Sequence, residues 1–242
     1  MDAIKTIGLT KQYKDVIAVD DLNLEIKQGE LFSLLGINGA GKTTTIKLLS
    51  CLTKPTSGDG FVLGRSILSD EWNVKRKIGV SPQETAVAPN LSVKENLEFI
   101  CGIYGFSKSQ SQEKIDKIAE QFCLHSILPR KAGKLSGGWQ RRVSIAMALI
   151  GEPAVLFLDE PTLGLDVIAR SKLWDVIRGL KGKITIILTT HYMEEAEALS
   201  DRIGIMKDGK LLVVGTAEEL MEMAFAERFE DAFVRIVKGV KE

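Results

Sequence analysis

The chain has no surplus of charge: Lys plus Arg and Asp plus Glu each total 32 among its 242 residues. Binding to a nucleic-acid backbone usually leaves a basic excess, so this balance argues against nucleic acid as the main partner. No apolar run approaches the ~20 residues a membrane helix needs, and the opening Met1-Asp2-Ala3-Ile4-Lys5 lacks the pattern of a secretory signal. The expectation is a cytoplasmic protein whose membrane role is borrowed from a partner. Cysteine is scarce too. Cys51, Cys101 and Cys123 are odd in number and far apart, which excludes a disulfide framework and the common metal or redox spacings. They are read as reduced thiols acting as small core residues. Internal repeats, low-complexity tracts and long heptad insertions are also missing.

What is present is a soluble globular mixture, 45% hydrophobic and 26% charged, long enough for a sizeable core. Its most informative stretch is Gly36-Ile37-Asn38-Gly39-Ala40-Gly41-Lys42-Thr43, which fits G-x-x-x-x-G-K-[ST] at every fixed position. The apolar run Leu31-Phe32-Ser33-Leu34-Leu35 before it reads as a buried strand, and Thr44-Thr45-Ile46 after it begins a helix of which Thr43 is the first residue. Glycines close the turn tightly, so that successive backbone N–H groups point into one concavity, and the helix start adds its unpaired N–H groups and dipole. Lys42 is placed to reach the β- and γ-phosphates of a nucleoside triphosphate, and the Thr43 hydroxyl to ligate Mg²⁺.

Further strands are expected at Ile17–Val19, Leu22–Ile26, Phe61–Leu63, Ile78–Ser81, Ala154–Leu158 and Ile184–Leu188, with a β-hairpin across Asp208-Gly209. Between them lies a helical stretch, with capping boxes at Ser92/Glu95 and Ser109/Gln112. A single α/β domain is expected: a core of about 1–83 and 146–216, a helical insert of about 84–145 and a helical tail of about 217–242.

Two more constellations carry chemistry. Leu158-Asp159-Glu160-Pro161 ends a buried strand with adjacent carboxylates, the first suited to Mg²⁺ and the second to taking a proton from an attacking water. Leu135-Ser136-Gly137-Gly138-Trp139-Gln140 places an N-cap serine and two glycines at the start of another helix, a second anion-welcoming terminus.

In this order the motifs resemble the ATP-binding subunits of ABC transporters, over nearly the whole chain. Gly36–Thr43 resembles the Walker A loop, Gln83 the Q-loop, Leu135–Trp139 the LSGGQ signature, Leu156–Glu160 the Walker B strand, Leu163–Asp166 the D-loop and His191 the switch histidine. Tyr13 is similar to the aromatic that stacks on adenine. The resemblance implies a P-loop NTPase core with a mainly parallel sheet, an N-terminal antiparallel β subdomain and a helical insert. It also implies an Mg-dependent ATPase, peripheral on the cytosolic face of the cell membrane, that drives a membrane-spanning permease subunit. Catalysis falls to Glu160 as general base, His191 and Lys42; nucleotide binding to Tyr13, Gly36, Asn38, Gly39, Ala40, Gly41, Lys42, Thr43 and Thr44; and Mg²⁺ to Thr43, Gln83 and Asp159. Ser136, Gly137, Gly138 and Asp166 then act in trans, on the ATP of a second ATP-binding subunit in a homodimer or heterodimer.

Trp139 departs from the usual Gln of the signature, and Leu163-Gly164-Leu165-Asp166 from the usual Ser-Ala-Leu-Asp. The second departure, with the Phe229–Val234 tail, resembles exporter-type subunits of drug-resistance and bacteriocin-immunity systems. The alternative is a soluble non-transport ABC ATPase acting on a cytosolic assembly, ribosome or nucleic acid; the lone phosphate loop, the lack of a heptad insertion and the neutral charge disfavour it. Arg141-Arg142 reads as a short solvated basic run, and Phe225, Phe229 and Phe233 as an i, i+4, i+8 stripe packed on its own domain.

Overall fold

A computed structural model describes residues 1–239. They divide into two compact units, one made of Met1–Lys75 with the chain from Lys181 onward, the other of Arg76–Leu180. Of the expected tail, positions 240–242 lie outside the described residues.

The first unit opens with β1 (Asp2–Tyr13), β2 (Val16–Lys27) and β3 (Leu31–Leu35), followed by α1 (Lys42–Leu49), β4 (Ser57–Val62), β5 (Arg65–Ser66) and α2 (Glu71–Lys75). The second unit holds β6 (Ile78–Ser81), α3 (Val93–Ile103), α4 (Lys108–Gln121), α5 (Gly137–Leu149), β7 (Val155–Asp159) and α6 (Val167–Arg178). The chain then completes the first unit with β8 (Thr185–Thr190), α7 (Met193–Leu199), β9 (Arg202–Lys207), β10 (Lys210–Gly215), α8 (Ala217–Met223) and α9 (Phe229–Lys238).

In the first unit an antiparallel sheet runs in the order β2-β1-β4-β5. Beside it β3 lies parallel to both β8 and β9, and β10 closes back antiparallel on β9. Every residue of β3 and β8 is buried, as expected for strands covered on both faces. In the second unit β6 and β7 pair in parallel, Ile78 opposite Val155 through Ser81 opposite Leu158. No helix among the described residues is long and apolar enough to cross a membrane.

Several expectations are corrected. The runs Ile17–Val19 and Leu22–Ile26 are one strand, β2, interrupted by a bulge where Asp21 adopts φ 48°. Side chains bridge the irregularity: Gly8 N–H donates to Asn23 Oδ1 at 2.9 Å and Asp21 N–H to Thr10 Oγ1 at 3.0 Å. The second capping box is Ser107/Gln110, not Ser109/Gln112. Phe106, stacked on Tyr104 with Lys114 Nζ 4.7 Å from its ring centroid, anchors the chain immediately before that earlier cap. The aromatic stripe is split, because α8 ends before it and α9 begins at Phe229. Phe229 and Phe233 are buried with Leu35, Ala196 and Ile205, whereas Phe225 stands exposed in the turn at φ 50°. Of the three thiols, Cys101 is buried, Cys51 half-buried and Cys123 exposed, so Cys123 is no core residue.

Candidate functional site

In the first unit the loop between β3 and α1 is shaped by what it cannot accommodate. A methyl group on Gly36 would meet the Met206 carbonyl oxygen at 2.4 Å, and one on Gly41 the Ala18 oxygen at 2.3 Å, with Gly41 already at φ 103°. Only glycine serves at either position. Ile37, Asn38 and Gly39 form the exposed crest, while Ala40 is buried. From below, the loop rests on the β9–β10 turn: Gly209 N–H donates to the Ala40 oxygen at 3.1 Å, and Asp20 N–H to the Gly209 oxygen at 2.9 Å. Asp208 and Gly209 both have positive φ, the signature of a tight hairpin turn, as the Asp-Gly pair predicts.

Lys42 is buried at 5% exposure, and its ammonium donates to the carbonyl oxygens of Gly36 (2.7 Å) and Ile37 (3.2 Å). The cation is thereby held within the loop. Helix α1 starts here with Gly41 as N-cap, no side chain capping it and no acid in its first turn. A helix start of that kind offers N–H donors and a positive dipole end to an anion. Thr43 and Thr44 lie half-buried on its first turn.

Elsewhere in this unit, Tyr13 ends β1 with 43% of its surface exposed and Lys11 Nζ 4.9 Å from its ring centroid. It is accessible to a planar ligand. His191 leaves β8 just ahead of α7, half-buried, its ring tilted on that of Tyr192 with centroids 4.1 Å apart.

The second unit carries the acids. Asp159 ends the wholly buried β7 at 3% exposure and Glu160 follows at 7%. Glu160 adopts φ 47°, a left-handed conformation that costs a non-glycine residue free energy and persists only where its surroundings fix it. Leu163 N–H donates to the Glu160 oxygen at 3.2 Å and Leu165 N–H to the Thr162 oxygen at 3.1 Å, turning the chain toward α6. Asp166 caps that helix, accepting from Ala169 N–H at 2.8 Å.

Ser136 occupies the N-cap position of α5, yet its exposed hydroxyl makes no capping bond to the helix. Gly137 and Gly138 follow as its first residues, Gly138 packed so close to α6 that a methyl there would lie 3.0 Å from Ala169 Cβ. Trp139 is half-buried under the Arg142 guanidinium, 5.0 Å from the ring centroid. Gln83, past the end of β6, is exposed, and its carbonyl oxygen accepts from Arg141 Nη2. The Arg141 contact went unread in the sequence. Its pairing with Arg142 suggests a solvated run, but Arg141 is buried.

Among the described residues no group of three or more His, Cys, Asp or Glu side chains could hold a metal by itself. Mg²⁺ does not require one: it prefers hard oxygen donors and is usually held by one or two carboxylates with waters and substrate phosphates. Asp159, Thr43 and Gln83 carry oxygen donors of that kind.

Residues 19–163 match the ABC transporter family profile. The chain is 40% identical over 238 residues to the doxorubicin resistance ATP-binding protein DrrA of Mycobacterium tuberculosis, covering 97% of this chain and 70% of that one. Among solved structures it is similar to an ATP-binding subunit of an ABC transporter, with TM-score 0.85, 26% identity, 97% of this chain and 99% of the other. It is also similar to a dimeric ATP-binding cassette in a post-hydrolysis state with ADP and Pi, with TM-score 0.79, 29% identity, and 88% and 98% of the two chains. The non-transport alternative is not favoured by these relatives.

Proposed function

The chain belongs to the ABC transporter family as an ATP-binding, ATP-hydrolysing subunit that energises transport, and from that premise we propose how its residues divide the work. Lys42, with the backbone N–H groups from Gly36 through Asn38, Gly39, Ala40 and Gly41 to Thr43 and Thr44, binds the β- and γ-phosphates, and Tyr13 stacks on the adenine. Thr43, Asp159 and Gln83 would hold Mg²⁺, whose positive charge would offset that of the phosphates. Glu160 takes the proton of the attacking water and aligns it, and His191 hydrogen-bonds the γ-phosphate.

The observation that carries this reading is that one chain has two helix starts suited to phosphate: α1, uncapped by any side chain, and α5, whose Ser136 hydroxyl makes no capping bond. We assign them to different copies. Two chains pack head to tail, each ATP bound by the Lys42 loop of one and by Ser136, Gly137 and Gly138 of the other, with Asp166 nearby. ATP then holds the pair together and hydrolysis releases it. A homodimer is favoured because this chain carries both the Lys42 loop and the Ser136-Gly137-Gly138 turn.

The partner is a membrane-spanning permease, which places this chain peripherally on the cytosolic face of the membrane. The relative's link to doxorubicin resistance supports an exporter. Docking is assigned to the helical segment from Gln83 to Gly105, where Ile78, Ile100, Ile103, Tyr104 and Met147 line an apolar groove of about 240 Å³ and Phe99 is 61% exposed. The test is affinity capture of the tagged chain from detergent-solubilised membranes. A polytopic membrane protein in near-equal amount is expected. Recovery with ribosomes, DNA or cytosolic assembly proteins instead would refute the reading.

A further inference from the structure

Arg141 lies on the second turn of α5, withdrawn from water at 5% exposure. Burying a guanidinium is costly unless its N–H groups find acceptors. Two adjacent backbone oxygens provide them: Nη1 donates to the Pro82 carbonyl oxygen and Nη2 to that of Gln83, each at 2.5 Å. Both acceptors lie past the end of β6, beyond the reach of its ladder with β7. A planar fork with donors side by side matches neighbouring carbonyls in a way a lysine ammonium cannot.

This contact is the first of three along one face of α5. Three residues on, the hydroxyls of Ser144 and Ser81 share a hydrogen bond at 3.0 Å, buried. Four further on, the Ala148 oxygen runs so close to Gly79 that a methyl group there would sit 2.3 Å from it. Positions 141, 144 and 148 share a helix face, while 82–83, 81 and 79 step back along β6. Helix α5 and the exit of β6 thus form one braced piece, and the start of that helix is the Ser136-Gly137-Gly138 turn.

We propose that Arg141 is a positioning residue that makes the Gln83 segment and the Ser136 turn move together. It rests on the roles given above to Gln83 and Ser136. The Gln83 backbone is clamped while its side chain stays exposed, so the amide shifts only when α5 shifts. Engagement of Mg²⁺ by Gln83 and of the second copy's nucleotide by Ser136 then become a single event.

The test compares Arg141→Met and Arg141→Lys in the full chain with Gln83→Ala and Ser136→Ala. It measures the Mg²⁺ concentration for half-maximal ATP hydrolysis, ADP affinity, and ATP-driven self-association in a Glu160→Gln background. Arg141→Met is expected to raise the Mg²⁺ requirement about tenfold and weaken association about tenfold, as loss of charge-assisted hydrogen bonds implies, while ADP affinity stays within about twofold. Arg141→Lys, which keeps a cation, recovers part of both losses and serves alone, with a shift of about threefold, where the Met variant does not fold. Combining Arg141→Met with Gln83→Ala adds less than the two separate effects. A fall in melting temperature with both readouts unchanged, or full additivity, overturns the proposal. Should Gln83→Ala and Ser136→Ala themselves have no effect, the underlying roles fail; should they act as expected while the Arg141 variants behave as wild type, the coupling alone fails.

Discussion

Gly41 and Ala18 approach so closely that a methyl group on the glycine would lie 2.3 Å from the alanine carbonyl oxygen. The start of α1 is therefore pressed against β2, and the loop keeps its shape only while position 41 has no side chain. Gly41→Ala adds this clash to a φ of 103°. It is expected to lower stability by about 1–3 kcal/mol and to abolish nucleotide binding, read by thermal melting and a fluorescent-nucleotide titration.

Glu160→Gln removes the proposed base while keeping shape and hydrogen-bonding capacity. ATP hydrolysis is expected to fall by about 10²–10⁴-fold with ATP affinity retained, measured by phosphate release and equilibrium binding. Unchanged turnover would show that Glu160 is not the base.

The two ends of the aromatic stripe should behave oppositely. Phe233 is buried against the cluster that includes Leu35 and Ala196, so Phe233→Ala is expected to cost about 3–5 kcal/mol in denaturant unfolding. Phe225 is 82% exposed, and Phe225→Ala should stay within about 0.5 kcal/mol.

The thiols should label in order of accessibility and ionisation. Burial, reinforced by the nearby Glu71 carboxylate, pushes the Cys51 thiol up to about 11, and burial also raises that of Cys101. A raised thiol pKa means less of the reactive thiolate below it, about one Cys51 in a thousand at pH 8. Iodoacetamide at that pH is expected to modify exposed Cys123 first, and Cys51 only as the pH climbs toward 11, followed by peptide mass spectrometry.

Chemistry was easier to read in the sequence than register. The phosphate loop, the Asp159-Glu160 strand end and the Ser136 helix start each combine a residue type with a local geometry that few other sequences produce. The α4 cap was not so determined: Ser107, Ser109, Gln110 and Gln112 allow two capping boxes, and only the packing of Phe106 selects the first. Ser107→Ala should accordingly cost about 1 kcal/mol and Ser109→Ala little. The antiparallel N-terminal sheet agrees with the family resemblance, but β1 has no local strand signature, because Gly8 at φ 57° and the shifts after Thr6 and Leu9 break the alternation that marks a strand. Arg141 was misjudged for a related reason. Its partners are backbone oxygens some sixty residues earlier, which no local pattern announces.

The central claim, that ATP bound by the Lys42 loop of one chain is also held by the Ser136 turn of another, is tested most directly by sedimentation of the Glu160→Gln variant with ATP and Mg²⁺. The account predicts a dimer with ATP, a monomer with ADP, and loss of the ATP-dependent dimer when Ser136→Ala or Lys42→Ala is added. A Glu160→Gln chain that binds ATP yet remains monomeric, or a dimer indifferent to both changes, would contradict it.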